Sequence, residues 1–306
     1  MARPVHTSLL IIGGAEDKVG RATVLRRFVH LAGGRQARIV VVPSASSFQD
    51  EAVQAYTDAF GRLGAPEVVA VSPQSRRATQ AMVEATDRST GIFMTGGNQL
   101  KLSHLLVGTP LADAIFRAYE RGAVVAGTSA GASIMSQFMI SMGGDGVTPR
   151  QRTSQLTSGL GLLPGVIIDQ HFDQRARYGR LMALVAGSPN LLGIGIDEDT
   201  AAEVRDGRRL TVLGSGAVFI VDARSAVSDA AEARRKAALL ISGAIVHSLP
   251  SGATFDLHTA QLTGFVEKRL DAVVRASSKA DEDSGDAGKS ALAPLRSTKR
   301  TNGLEN

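Results

Sequence analysis

One stretch decides the fold: Ala123-Val-Val-Ala-Gly-Thr-Ser-Ala-Gly-Ala-Ser133. Its first four residues are apolar and predict a buried strand, and the residues after its second glycine can form a helix. A strand, a tight turn with Gly-x-Ser-x-Gly and a helix, in this order, are typical of a nucleophile elbow. The glycines let the backbone reverse, and Ser129 would lie at the tip of the turn. The same pattern also arises by chance in ordinary tight turns, so this serine needs partners elsewhere in the chain.

The stretch continues a pattern of alternating strands and helices that occupies the first half of the chain. Apolar runs of four to six residues separated by helical periodicity predict a parallel sheet covered by helices on both faces. We therefore expect an α/β fold with a mostly parallel sheet. The predicted strands are 9–12, 37–42, 68–71 and 91–94, and the predicted helices are 19–31, 50–63 and 79–87.

Polar loops rich in glycine or serine follow four of these strands. The carboxyl ends of parallel strands meet at one edge of a sheet, which is where binding sites of such folds gather. These loops should converge there, with Ser129 among them. They are Gly13–Lys18, Pro43–Ser47, Thr95–Gln99 and Gly127–Gly131.

The second half of the chain is less regular and predicts an antiparallel extension of the sheet. We expect a flexible loop at 142–149, a strand at 166–168, a helix from Asp173 to about residue 186, and a strand at 191–196. Residues 275–306 lack periodicity and predict a disordered tail. The chain is thus interpreted as an N-terminal arm (1–7), a single α/β hydrolytic domain (8–274) and this tail. Short antiparallel strands are expected at 201–205, 209–213 and 217–221.

Composition excludes several classes of function. The 306 residues include no cysteine, so a disulfide framework, a thiolate zinc site and a cysteine nucleophile are excluded. The net charge is +5, but the aromatic content is only 4% and no clustered run of Lys and Arg reaches a useful length, which argues against nucleic-acid binding. No apolar run reaches the length of a signal peptide or a membrane span. We expect a cytoplasmic protein without a membrane or nucleic-acid partner.

A serine nucleophile needs a base, and an acid that orients the base. His171 is the best of six histidines, because it closely follows the predicted strand at 166–168 within a polar run, although a lone histidine after a strand is more often structural. The acid would come from Asp197, Glu198 or Asp199 after the next strand, three carboxylates that could instead form a solvated turn or a cation site. In an extended segment the middle residue points opposite to its neighbours, and the sequence leaves the choice open.

The oxyanion needs backbone donors near Ser129. The N–H of Ala130 and one from Gly96, Gly97 or Asn98 are suitably placed, since glycine permits a close approach of the backbone. The order serine, histidine, acid differs from the serine, acid, histidine order of ordinary α/β-hydrolases. Triads are defined by geometry and not by chain order, so this difference does not exclude one.

Taken together, the motifs resemble the cyanophycinase family, which belongs to the serine peptidases that include peptidase E. The resemblance runs in consistent order from about residue 8 to residue 257, and it leaves the segment 229–236 and the tail unmatched. It implies the sheet of class I glutamine amidotransferases, which is flavodoxin-like. The motifs are Gly13–Lys18, Thr95–Gln99, Gly127–Ser133, Gly159–Leu163, Asp169–Phe172 with three nearby arginines, and Gly195–Thr200.

The resemblance implies Ser129 as nucleophile, His171 as base and Glu198 as the orienting acid. The oxyanion donors expected from the residues themselves are near Gly97 and at Ala130. The resemblance also implies exopeptidase release of β-Asp-Arg dipeptides from cyanophycin, a poly-aspartate that carries arginine on each β-carboxyl. The resemblance implies a homodimer, and it implies no metal or cofactor. The pocket for the dipeptide unit would be formed by Gln99, Asp169, Gln170, Arg175, Arg177 and Arg180.

Two other functions remain open from the sequence. A peptidase-E-like enzyme would remove N-terminal aspartate from α-linked dipeptides, and the Asp169-Gln170 pair with three nearby arginines argues for the larger branched substrate instead. A non-catalytic binding protein on the same fold would leave Ser129 unreactive toward a serine-directed fluorophosphonate.

Overall fold

Strands and helices alternate through the first half of the computed structural model, which describes residues 5–266 and 273–274. Three helices of this half have a side-chain cap at their start, because the first N–H groups of a helix need an acceptor. The side chains of Thr79, Asn98 and Thr109 accept hydrogen bonds from the N–H groups of Met82, Lys101 and Ala112, in that order. The elements are β1 (Ser8–Ile12), α1 (Thr23–Leu31), a 3₁₀ turn (Gly34–Gln36), β2 (Arg38–Val42), α2 (Gln49–Arg62), β3 (Glu67–Ala70), α3 (Gln80–Arg88), β4 (Gly91–Met94), α4 (Gln99–Leu106), α5 (Pro110–Glu120), β5 (Val124–Thr128) and α6 (Ala130–Ser133).

The second half is mostly β-structure. A single helix of ten residues, α7, interrupts its strands within the described residues. The elements are β6 (Phe138–Gly143), β7 (Ser154–Ser158), β8 (Val166–Gln170), α7 (Tyr178–Gly187), β9 (Leu192–Ile196), β10 (Thr200–Arg205), β11 (Arg209–Gly214), β12 (Ala217–Asp222), β13 (Val227–Ser228), β14 (Ile241–Ser242), β15 (Ile245–Pro250), β16 (Ala253–Asp256), β17 (Gln261–Val266) and β18 (Val273–Val274).

The main sheet confirms the predicted α/β fold with an antiparallel extension. Its described strands have the order β18-β17-β16-β11-β10-β1-β5-β4-β2-β3. The pairs β1–β5, β5–β4, β4–β2 and β2–β3 are parallel, and the sheet becomes antiparallel from β10 outward. The four loops predicted to converge therefore follow neighbouring parallel strands and lie at one edge.

Both faces of this sheet are buried, which explains why its strands are apolar without alternation. In β1, Leu9 and Ile11 pack into the core on one face, and Leu10 and Ile12 pack into the core on the other. All four side chains are fully buried. Burying one such side chain stabilises the fold by about 1.5–3 kcal/mol.

A second sheet, not predicted, carries the strands β15-β12-β9-β8. We expected 217–221 to extend the main sheet, but β12 pairs with β9 instead. The chain leaves the main sheet at Gly214, which has φ 107° and lies so close to Asp199 that a Cβ would be 2.2 Å from the Asp199 carbonyl oxygen. β8 and β9 are parallel, and their carboxyl ends lead to His171 and Glu198.

The first helix is shorter than the predicted 19–31, because Asp17 holds the residues before it in a loop. The Asp17 carboxylate accepts the N–H groups of Val19, Gly20 and Ala22 at 2.9, 2.7 and 2.9 Å. These bonds lower the pKa of Asp17. The helix therefore begins at Thr23.

The helix predicted to start at Asp173 also begins later, at Tyr178. His171 and Ala176 have φ values of 49° and 47°, which no helix contains. The Asp173 carboxylate accepts the Tyr178 hydroxyl at 2.8 Å, and no side-chain cap is formed at the start of α7. The segment between β8 and α7 is thus a turn that carries His171.

The prediction of a flexible loop at 142–149 is also wrong in part. Its first two residues end β6, which forms a hairpin with β7. The hairpin was missed because the register shifts between Ile140 and Met142, which interrupts the alternation of buried and exposed side chains.

No helix in the described part of the chain is both long and apolar enough to cross a membrane. The tail predicted at 275–306 lies outside the described residues, as does the start of the predicted arm. The single domain predicted at 8–274 stays a prediction.

Candidate active site

Ser129 lies between the end of β5 and the start of α6 in a strained backbone conformation. Its φ and ψ are 53° and −112°, which non-glycine residues rarely adopt. The backbone can turn this sharply because Gly127 and Gly131 have no Cβ. A Cβ at Gly127 would be 2.1 Å from the Gly131 carbonyl oxygen, and a Cβ at Gly131 would be 2.1 Å from the Met94 carbonyl oxygen. Strain of this kind is found at functional sites, and here it presents the serine at the edge of the sheet.

Three side chains form a hydrogen-bonded relay at this edge. The Ser129 hydroxyl is 3.0 Å from His171 Nε2, and His171 Nδ1 is 2.6 Å from Glu198 Oε1. A carboxylate only accepts hydrogen bonds, so the neutral ring carries its proton on Nδ1 and leaves Nε2 free to accept from Ser129. This is the geometry of a nucleophile, a general base and an orienting acid.

The relay joins the two sheets. Ser129 follows β5 of the main sheet, whereas His171 and Glu198 follow β8 and β9 of the second sheet. The loop after β1 connects them, because the His171 N–H donates to the Gly13 carbonyl at 2.8 Å. A Cβ at Gly14 would lie 2.3 Å from the His171 ring. Glycine there is required for the ring to reach Ser129.

The three neighbouring carboxylates after β9 have separate tasks. Asp197 accepts the N–H groups of Asp173 and Ala217 at 3.1 and 3.0 Å, and burial raises its pKa. Asp199 accepts the Asp17 N–H at 2.9 Å. Only Glu198 reaches His171. No group of three or more His, Asp or Glu side chains in the described ranges is arranged to hold a metal ion.

The surroundings of His171 favour its neutral form. Its side chain is 13% exposed, and this burial lowers the pKa of the ring. The positive charges of Arg175 and Arg177 lower it further, while the hydrogen bond to Glu198 opposes them. A base that stays neutral below its ordinary pKa can accept the Ser129 proton at neutral pH.

Backbone donors for an oxyanion surround Ser129. The N–H of Asn98 is already engaged, since it donates to the Ala45 carbonyl at 2.8 Å. The N–H groups of Ala130, Gly96 and Gly97 donate to no group within the described residues. Gly96 passes so close to the serine that a Cβ there would be 3.2 Å from Ser129 Cβ. The predicted oxyanion donors are thus reduced by Asn98, and the N–H groups of Ala130, Gly96 and Gly97 remain.

The predicted pocket residues divide into a buried and an accessible group, and Asp169 belongs to the buried group. Asp169 is 0% exposed and makes a two-pronged ion pair with Arg180, whose Nε lies 2.6 Å from Asp169 Oδ2. Arg180 is 5% exposed. The Asp169 carboxylate is therefore not accessible to a substrate, and it supports the pocket wall from within. Arg180 keeps a small exposed surface in the lining of the cavity formed by the loop after β6.

Arg177 links that buried pair to the nucleophile. Its Nη1 donates to the Gln170 carbonyl at 2.6 Å and to Gln170 Oε1 at 3.0 Å. Gln170 Oε1 in turn lies 3.5 Å from Ser129 Oγ. Gln99 is half-buried and donates to the Ile140 carbonyl at 2.9 Å, and Arg175 is exposed beside the base.

Sequence reasoning missed Glu16, which is buried behind the nucleophile. The Thr128 hydroxyl donates to Glu16 Oε2 at 2.5 Å, and Lys18 Nζ and the Tyr56 hydroxyl donate to Oε1, the former at 2.9 Å. Glu16 is 3% exposed, and proximity to it together with burial raises the pKa of Tyr56 well above its usual value. The signal was its place in the polar loop after β1.

Comparison with known proteins places the chain in a family. The sequence profile of peptidase family S51 matches residues 9–212. A cyanophycinase of Geminocystis herdmanii is 38% identical over 87% of this chain and 100% of its own, and one of Nostoc sp. is 43% identical over 71% and 74%. A solved peptidase from an acI-B1 actinobacterium shares the fold, with a TM-score of 0.62 at 21% identity over 83% of this chain and 98% of its own. This chain belongs to peptidase family S51.

Proposed function

We propose that the chain is a cyanophycinase, a serine exopeptidase that releases β-Asp-Arg dipeptides from the end of cyanophycin. The observation that carries the proposal is the relay of 3.0 and 2.6 Å from Ser129 through His171 to Glu198. The substrate is inferred from relatives named cyanophycinase that are 38–43% identical over most of the chain.

In the proposed reaction, Ser129 Oγ attacks the carbonyl carbon of a backbone peptide bond while His171 Nε2 takes the hydroxyl proton. Glu198 stabilises the imidazolium that forms, and the N–H groups of Ala130 and Gly97 hold the oxyanion. His171 then donates its proton to the leaving amine, which leaves an acyl-enzyme. Water, deprotonated by His171, adds to the ester carbonyl, and the dipeptide leaves as Ser129 regains its proton.

Incubation with purified cyanophycin and mass analysis of the soluble product tests the proposal. The expected product has the mass of Asp-Arg, and Ser129→Ala should release none above background. A product of single aspartate, or release by the Ser129→Ala variant at the wild-type rate, would contradict the assignment.

The rival peptidase-E-like activity is separated by a second substrate. An enzyme of that kind would cleave α-linked Asp-Xaa dipeptides faster than it solubilises cyanophycin. We expect the reverse order of rates, because relatives named cyanophycinase are 38% and 43% identical to this chain.

We also propose that the protein acts as a homodimer in the cytoplasm. The homodimer is implied by the family resemblance, and the cytoplasmic location is the expectation from the short apolar runs of the sequence. Light scattering of the purified protein and fractionation of the source cells test them. A monomeric mass, or a protein found only outside the cytoplasm, would contradict them.

A further inference from the structure

Burial of Asp169 leaves the guanidinium of the substrate without a carboxylate partner. Asp169 was the one acid among the six predicted pocket residues, and Arg180 takes both of its oxygens. A guanidinium is recognised best by a carboxylate that offers two acceptors. Some other acid on the accessible side of the site must supply them, if the proposed function is correct.

Asp145 has the required position. It lies in the loop between β6 and β7, and its side chain is 55% exposed. Its Oδ1 is 3.3 Å from Arg177 Nε, and no partner engages Oδ2 within the described residues. A cavity of about 250 Å³ opens beside it, lined by residues 144–148, Arg150, Thr153 and Arg180. Asp145 is the only carboxylate of that lining.

Short contacts connect this cavity to the nucleophile. From Ser129 Oγ the path runs 3.5 Å to Gln170 Oε1, then 3.0 Å from that atom to Arg177 Nη1. The same guanidinium reaches Asp145 through its Nε. Gln170 and Arg177 are 3% and 7% exposed, so they support the surface between Ser129 and Asp145 from below. A side chain that extends from a peptide bond held at Ser129 would cross this surface to reach Asp145.

The loop that carries Asp145 is fixed on both sides. The Gly146 N–H donates to the Ala176 carbonyl at 2.8 Å, and the Gly179 N–H donates to the Gly146 carbonyl at 2.9 Å. Arg180 Nη1 donates to the Gly143 carbonyl at 3.3 Å. These bonds tie the loop to the turn of His171 and to α7, so the carboxylate is held in place before a ligand arrives.

We propose that Asp145 binds the guanidinium of the substrate arginine and so sets the preference for arginyl side chains. Asp145 is part of the cavity lining and its side chain is 55% exposed, so the oxygen that Arg177 does not engage is available to a ligand. The cavity has a small size that suits one side chain rather than a whole ligand. This inference rests on the proposed function. Arg150 in the same lining offers a rival explanation, in which the cavity binds a carboxylate instead.

The test compares two soluble oligomers that differ only in charge, one of β-Asp-Arg units and one of β-Asp-citrulline units. Citrulline has the shape of arginine without its positive charge and keeps the α-carboxylate. Asp145→Asn should lower kcat/KM for the arginine oligomer about 10- to 100-fold, mainly through KM, and change it little for the citrulline oligomer.

Asp173→Asn is the matched control, because Asp173 is an exposed acid on the same side of His171 that does not line the cavity. We expect it to change both substrates equally. Equal losses on both oligomers with Asp145→Asn would overturn the inference, as would no loss on either. Failure of the proposed function is a different result, in which the wild-type enzyme releases no dipeptide from the arginine oligomer.

Discussion

The two sides of Ser129 are built differently. The inner side, defined by Glu16, Tyr56 and Thr128, is buried and holds a carboxylate that accepts three hydrogen bonds. The open side, defined by Arg175 and the loop 143–150, is largely exposed, and its charged groups point to solvent or to the cavity. The inner side fixes the geometry of the nucleophile. The open side is suited to choose the substrate.

This difference has a physical reason. A buried carboxylate that loses one partner is strongly destabilised, so the inner side tolerates little change in its atoms. An exposed charge is screened by water and contributes little to stability, so the open side can vary without loss of the fold. Substitutions on the inner side should therefore change kcat and stability. Substitutions on the open side should change KM and the pH dependence of the activity.

The largest expected effect comes from the residue that orients the base between these two sides, Glu198. Glu198→Gln removes the charge that stabilises the imidazolium, and its amide N–H₂ can turn toward Nδ1, which would place the ring proton on Nε2. We expect kcat to fall about 10⁴-fold with KM nearly unchanged. Steady-state kinetics on soluble oligomers measure this. A loss below tenfold would mean that Glu198 does not orient the base.

The next effect tests the inner side. Thr128→Val removes the hydroxyl that donates to Glu16 next to the strained serine. We expect kcat to fall about 100-fold, because a small displacement of the nucleophile costs that much. The free energy of unfolding should also drop by about 1–3 kcal/mol, the usual cost of an unpaired buried acceptor.

Thr128→Ser keeps the hydroxyl and serves as the control, with kcat expected near that of the wild type. Glu16→Gln should act through the same contact, so its effect on kcat and that of Thr128→Val should not add in the double variant. Additive effects, or a folded Thr128→Val enzyme with normal kcat, would contradict a positioning role for the inner side.

The smallest expected effect is a shift in the pH dependence of kcat/KM, which tests the open side. Burial and the charge of Arg175 lower the pKa of His171, so the neutral base persists to lower pH than for an ordinary histidine. The acid limb of kcat/KM should therefore lie below the usual histidine pKa of about 6.5. Arg175→Gln removes one positive charge, makes protonation of the ring easier and should move this limb to higher pH. A limb that stays in place or moves to lower pH would contradict this electrostatic coupling.

Much of the main sheet and of the elbow was predictable, because the apolar runs of a doubly covered sheet and the glycine spacing around Ser129 are local signals. His171 was predictable as a residue after a strand, but its sheet was not. The pairing of β12 with β9 depends on contacts between distant segments, which periodicity does not encode. The role of Glu16 was missed for the same reason, since its partner Thr128 lies far along the chain. The burial of Asp169 was missed because it depends on how the turn after β8 brings Arg180 of α7 back to its carboxylate, a contact that periodicity does not signal.

The central claim is that Ser129 is the nucleophile that His171 activates. The most direct measurement is intact-mass analysis after reaction with a serine-directed fluorophosphonate, followed by peptide mapping. We expect the wild-type protein to gain one label at Ser129, and Ser129→Ala to gain none. His171→Ala should slow labelling strongly, because Nε2 accepts the hydroxyl proton. Labelling of the Ser129→Ala variant at the wild-type rate, or a wild-type protein that stays unlabelled, would contradict the claim.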